Sequence, residues 1–287
     1  MEFPIRQLMP DEFPPLMREM SQRPKALYVR GELPPKNYKM LCVVGSRACS
    51  PYGRRMTQTI IAGLANYPVA IVSGLALGID GEALKAALDV GLPAVAVLPS
   101  SCDAPSIYPR TNHPLALRIL AQGSALISEE QGPYKARLHD FPKRDRLMAG
   151  MSEATLITEA GEKSGTLITA RLALDYNREV LGIPHELGRE SGMGVNRLIR
   201  EGATLVRDAD DVLQVLGIKP SDKPTQPTLP NDLTDAEARV LKALTEPADK
   251  DTLIERSEMS AQDANIALSS LLLRGLIIER LGKVERT

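Results

Sequence analysis

The sequence predicts an α/β protein: a doubly wound, mostly parallel sheet followed by a small C-terminal winged-helix domain. Three observations carry that prediction. From Met40 to residue 217, short and continuously apolar runs alternate with helix-like stretches. Such runs have the character of strands buried on both faces, and the stretches between them supply the crossovers that parallel strands need. A proline-rich segment then breaks the pattern, and three helical segments with a hairpin fit into residues 231–287.

Taken in order, residues 1–39 are proline-rich and weakly periodic. They read as an N-terminal extension packing on the sheet domain, with one short helix around Leu16–Met20. The domain itself covers 40–217, with strands expected at 41–46, 69–74, 94–100, 125–128, 154–160 and 179–184. Between them, helical segments are expected at 53–66, 79–90, 114–121 and 165–176. Residues 218–230, IKPSDKPTQPTLP, hold four prolines and almost no apolar content, which reads as a semi-stiff linker. Thr234 followed by Glu237 has capping-box spacing and opens a helix over 233–244. Helices near 250–256 and 260–273 and the hairpin LIIERLGKVERT complete the winged-helix pattern.

Composition narrows the function. Lys and Arg number 35 against 36 Asp and Glu, a net charge of −1, so any nucleic-acid contact has to come from a local patch. Residues 231–287 carry 11 acidic and 8 basic side chains, a net −3 that favours protein contacts over gripping a duplex. No apolar run reaches the roughly 20 residues of a membrane span. The opening MEFPIRQLMPDEFPP has acids and prolines where a signal peptide needs a basic start and an apolar core, so a cytoplasmic location is expected. Cys42, Cys49 and Cys102 are too few and too scattered for a disulfide framework or a zinc site.

Ligands of an open parallel sheet sit where strand ends meet helix N-termini. Three turns fit that place. Gly45-Ser46-Arg47 follows the first strong strand: the glycine admits a phosphate to the backbone, the serine offers a hydroxyl and the arginine a charged fork. Ser73-Gly74 opens a second turn that runs to Asp80, and Glu159 to Thr166 forms a third, including Ser164, Gly165 and Thr166. Together they point to an anion-binding crevice. Neither a dinucleotide fingerprint nor a nucleotide-hydrolase loop is present, so no cofactor is expected. Asp80 fits a helix cap or a functional acid equally well.

A fourth segment, residues 135–146, packs five cations, His139 and Phe141 into twelve positions. A basic run by itself is a solvated face. An embedded aromatic changes the reading, because bases stack on such rings beside phosphate-binding cations. Tyr108-Pro109-Arg110 offers a second aromatic-plus-cation pair. Catalytic constellations are thin: His113, His139 and His185 are far apart, and the turn serines have no evident general base. Nothing here demands an enzyme, and no metal site is indicated.

These residues resemble the DNA-processing protein A family (DprA, also called Smf). The resemblance lies in Val43 to Arg47, Tyr52-Gly53, Ser73 to Ala76, Gly78 to Asp80, Tyr108-Pro109, Ser128-Glu129, Phe141 to Arg144, Glu159-Ala160, Ser164 to Ala170 and Gly194 to Ile199, in consistent order from about residue 13 to 217. The tail is similar to the winged-helix module many members carry. The resemblance implies an extended Rossmann fold that binds single-stranded DNA, protects DNA entering in natural transformation, and loads RecA recombinase onto it, commonly as a homodimer and not as an enzyme. Carried over by position, Gly45, Ser46 and Arg47 cradle phosphate, with Ser73 and Gly74 beside them. Phe141, Lys143, Arg144 and Arg146 form the strand-binding edge, with Tyr108 and Arg110 on its rim. Ser164, Gly165 and Thr166 complete the floor, and Asn196 and Arg197 belong to the same set. Three positions depart from the family pattern: Leu84, Asp145 and His185. Asp145 places a carboxylate inside the cationic cluster and should oppose phosphate binding. An alternative is a phosphoribohydrolase-like enzyme of the same fold, whose glycine-rich loop Gly161 and Gly165-Thr166 imitate only loosely.

Overall fold

The computed structural model describes residues 3–219, 233–244, 248–257, 259–273, 276–280 and 283–286. It divides into two compact units, Met1–Pro220 and Ser221–Thr287. Apart from Ile218 and Lys219, the linker expected at 218–230 lies outside the described residues.

The first unit runs β1 (Ile5–Gln7), β2 (Tyr28–Gly31), β3 (Lys39–Val44), α1 (Pro51–Gly63), β4 (Val69–Ser73), α2 (Ile79–Asp89), β5 (Ala94–Val97) and α3 (His113–Ala121). It continues with β6 (Ala125–Ser128), α4 (Asp140–Met151), β7 (Ala154–Ile157), α5 (Thr166–Asp175), β8 (Glu179–Gly182), α6 (Met193–Arg200), β9 (Thr204–Leu205) and α7 (Ala209–Val215). Its strands form one sheet in the order β1-β2-β6-β5-β4-β3-β7-β8-β9. From β6 to β9 every pairing is parallel, whereas β2 joins β6, and β1 joins β2, antiparallel.

The apolar strand runs have a direct cause. Leu41, Val43, Ile71, Ala96 and Leu156 face one core with α1, α2, α3 and α7. Their neighbours Cys42, Val44, Val72, Val97 and Ile157 face a second core with α4, α5 and α6. Alternate side chains leave opposite faces of a strand, so a sheet covered on both sides needs apolar residues at every position. Leu84 is fully buried in the first core, as a packing residue.

Several features differ from expectation, β9, α6 and α7 among them, which fall outside the strand and helix spans given above. Residues 1–39 contribute β1 and β2 as well as a single tight turn at Pro15–Glu19. The basic run at 135–146 folds largely into α4, which tolerates Pro142 because it lies in the first turn, where no intrahelical donor is lost.

The topology sets the place of the site. From β3 the chain steps outward through β4, β5 and β6; it then returns to the other flank of β3 and steps away through β7, β8 and β9. The order reverses at β3. Loops leaving the carboxyl ends of β3 and β7 therefore diverge to opposite faces and open a crevice between them.

The second unit holds α8 (Asp235–Ala243), α9 (Lys250–Arg256), α10 (Ala261–Leu273), β10 (Ile277–Arg280) and β11 (Lys283–Arg286) around a core that includes Val240, Leu253, Leu271, Ile277 and Val284. The capping box is formed: the Glu237 backbone N–H donates to Thr234 Oγ1 at 3.2 Å, and the Thr234 backbone N–H donates to a Glu237 carboxylate oxygen at 2.8 Å. Its three helices and hairpin make the expected winged-helix fold.

Candidate nucleic-acid interface

An open groove of about 920 Å³ lies at the reversal point. Gly45, Ser46 and Arg47 line it from the end of β3, Tyr108 from the loop before α3, Phe141, Arg144 and Asp145 from α4, and Ser164, Gly165 and Thr166 from the start of α5. Residues more than a hundred positions apart thus share one surface.

The loop after β3 is held rather than floppy. The Ser46 N–H donates to Glu159 O at 2.7 Å, and the Ile79 N–H donates to Ser46 O at 3.1 Å. Glu159 is fully buried and accepts from Ser50 Oγ at 2.7 Å, which fixes the N-terminus of α1. This carboxylate is a structural cap. Across the groove, Ser164 Oγ donates to Thr166 Oγ1 at 3.0 Å and also accepts the Thr166 N–H at 3.3 Å. The N-terminus of α5 opens beside them, and its partial positive charge favours an anion.

At the mouth, the Arg47 guanidinium lies over the Phe141 ring, 5.2 Å from its centroid. Tyr108 meets Phe141 edge-on, with centroids 6.2 Å apart. Tyr108 is 52% exposed, so a cation and two aromatic rings meet at the mouth.

The floor has the opposite character. Arg144 is only 5% exposed. Its Nη1 donates to Val97 O at 3.0 Å and its Nε lies 2.9 Å from Asp145 Oδ1, close enough for an ion pair but misaligned for a hydrogen bond. The guanidinium packs close against Gly74, where any Cβ would collide with it. Asp80 sits beside this pair, buried, with Oδ2 accepting the Gly74 N–H at 3.1 Å. Burial pushes the Asp80 carboxyl up to about 6, against the pull of Arg144, while the Asp145 charge pushes it further up. Burial also raises Asp145 above the ordinary carboxylate range despite Arg144. Asp80 thus braces the turn after β4 and belongs to the groove's electrostatics; it does not cap α2, whose N-cap is Gly78 with no side-chain cap bond.

Several expected strand contacts lie elsewhere. Arg144 is a buried counter-ion at the floor and not an exposed edge. Arg146 faces away from the groove: it pairs with Glu129 at 2.5 Å and donates to Gln22 O at 2.7 Å. Ser73 is fully buried and donates its hydroxyl to Val43 O. Asn196 is spent on the His185 backbone, accepting its N–H and donating to its carbonyl, each at 2.9 Å. Lys143 is outside the lining and reaches Asp140 at 3.4 Å, and Arg110, also outside it, is exposed with Nη1 on Ala104 O. Arg197 borders a different depression, near Glu201. His185 packs edge-on against Tyr52, ring centroids 5.0 Å apart, and takes no part in the groove. Conversely, Arg137 and Leu138 line the groove and were not singled out as site residues. Arg137 stood inside the basic run, but nothing in a run tells which cations turn toward a neighbouring loop.

Among the described residues, no His, Cys, Asp or Glu cluster could hold a metal ion, and no helix is long and apolar enough to cross a membrane.

Comparison with known proteins agrees with the motifs. Residues 5–217 match the model of DNA recombination-mediator protein A, and residues 223–283 match the DprA winged helix domain. Protein Smf of Escherichia coli K12 is 40% identical over 219 residues, covering 75% of this chain and 58% of that protein. DNA processing protein DprA of Streptococcus pneumoniae R6 is 37% identical over 213 residues, 74% of each chain. The crystal structure of S. pneumoniae DprA superposes with a TM-score of 0.69 at 35% identity, covering 74% of both chains. DNA processing protein A of Helicobacter pylori, described for its single-stranded DNA binding mode, gives 0.65 at 29% identity over 75% of this chain and 98% of that one. With these matches spanning both units, the chain belongs to the DNA recombination-mediator protein A family, whose members are mediators of recombination and not enzymes.

Proposed function

We propose that this protein seats single-stranded DNA in the groove at the sheet reversal, protects DNA arriving in natural transformation, and loads RecA recombinase onto it. The observation that carries this reading is the Arg47 guanidinium 5.2 Å above the Phe141 ring at the mouth of the groove. It puts a phosphate-binding cation and a stacking face where one nucleotide could use both. Gly45, Ser46 and Ser164 to Thr166 take the backbone from below, and Arg137 adds a cation to the groove lining. The H. pylori relative's single-stranded DNA binding supports the choice of ligand.

In this reading 40–217 is the DNA-binding domain, 1–39 its extension, 218–230 a linker and 231–287 a separate module. The module contacts protein: no Lys or Arg occurs from 261 to 273, the helix that would enter a duplex groove. The protein acts in the cytoplasm as a homodimer.

Stacking on Phe141 and Tyr108 needs bases that are already unpaired. A mobility shift with single- and double-stranded DNA of equal length should therefore retard the single strand at lower protein concentration. Equal or stronger retardation of the duplex would rule the reading out. For loading, addition of the protein should raise RecA-dependent ATP hydrolysis on single strands precoated with a single-strand-binding protein, and no increase would remove that step.

A further inference from the structure

Beyond the groove lies a trough of about 460 Å³ between the start of α2 and α3, bordered by Leu77, Lys85, Asn112 and Arg118. A narrow saddle connects the two. It shares Arg47, Tyr108 and Phe141 with the groove and Leu77 with the trough. We propose that the trough is a second seat for the same polynucleotide, which passes over Leu77 and Tyr108 and places a phosphate at Lys85. This rests on the groove holding a single strand.

Three features carry it. Leu77 and Tyr108 are 48% and 52% exposed on the two sides of the saddle. Together they offer apolar surface along a path that leads away from Phe141, suited to a base face. The saddle is also rigid. Gly78 holds a φ of +75°, a conformation open to glycine, and Asn112 Nδ2 donates to Leu75 O and Ala76 O at 2.9 and 3.0 Å. A preformed path costs little ordering when a strand binds. Finally, the charge is available. Glu82 is held by Arg54 at 3.2 Å and by Gln58 at 3.1 Å, and Arg118 is paired with Asp89 at 2.7 Å. Lys85 is exposed and has no ion pair among the described residues, so it is the trough's unneutralised charge. A polyanion already anchored at Arg47 is the occupant that continuity and charge select.

The test uses the full-length protein and labelled oligothymidylates of about 4 and about 12 residues, within the range of single-strand site sizes. Lys85 is exposed on a helix, and alanine is the best helix former, so Lys85→Ala should fold normally. The variant should bind the short oligonucleotide as the wild type does. It should bind the long one about fivefold more weakly, with a salt slope shallower by about 0.7, the value of one phosphate contact on a single strand. Arg171, which borders the depression between α5 and α6 at the opposite side, serves as contrast: Arg171→Ala should leave both lengths unaffected. An unchanged long-oligonucleotide affinity and slope in Lys85→Ala would overturn the proposal. So would an equal loss at both lengths, or a length-dependent loss in Arg171→Ala instead. If the wild type binds neither oligonucleotide, the groove reading itself fails and takes the trough with it.

Discussion

Arg144 and Asp145 are neighbours in sequence, and the groove's floor depends on how each is bonded. The Arg144 guanidinium pairs with the part-buried Asp145 and offsets the charge of the buried Asp80, so two carboxylates share one cation. Arg144→Ala would leave the buried Asp80 and the part-buried Asp145 without their cation, costing about 3–5 kcal/mol. Thermal denaturation should show a fall of roughly 10 °C, and an unchanged melting temperature would contradict the counter-ion role. Asp145→Asn leaves one acid to one base and makes the floor less negative. It should tighten single-strand binding at low salt; unchanged or weaker binding in an anisotropy titration counts against it. Asp80 adds a pH dependence of defined sign. Its carboxyl is raised from 3.8 to about 6 in the folded protein, so between those values the folded state holds a proton that the unfolded chain releases. The folded state thus loses stability as pH rises through that window, and the penalty is complete above it. A phosphate nearby further disfavours the carboxylate, so single-strand affinity should rise as pH falls through about 6. A flat profile from pH 7 to 5.5 would show that Asp80 does not sense the ligand.

At the level of elements, the turn after β4 and helix α4 are built for each other. Gly74→Ala would drive a methyl into the Arg144 guanidinium, and overpacking of this kind costs about 1–3 kcal/mol. It should lower stability and weaken DNA binding together; stability equal to wild type would mean that the guanidinium has room to move. The strands and the glycine turns were legible in the sequence because burial on both faces and close backbone approach each demand specific residue types. Helix α4 was not, because its first seven residues, Asp140 to Arg146, are mostly charged and include a proline. Successive residues of a helix turn by about 100°, so the cations of one basic run separate: Arg144 goes to the floor, Arg146 to Glu129 and Lys143 to solvent near Asp140. A run in the sequence shows only that charge is present. β1 and β2 were missed for a related reason: at three and four residues they are too short for an alternation to show.

For the whole molecule, the groove is lined entirely by residues between Val44 and Thr169, inside the first compact unit. Truncation after Pro220 should therefore leave single-strand affinity intact, and its loss would place part of the DNA site in the winged-helix unit. The central claim is narrower: one point at the sheet reversal holds a nucleotide by two physically different means. Salt titration separates them most directly. Arg47→Ala should weaken single-stranded DNA binding alike for all sequences and shallow the slope of log affinity against log salt by about 0.7. Phe141→Ala should lose about 1–3 kcal/mol, the worth of one stacked base, with the slope unchanged. Identical salt responses from the two variants would contradict the account.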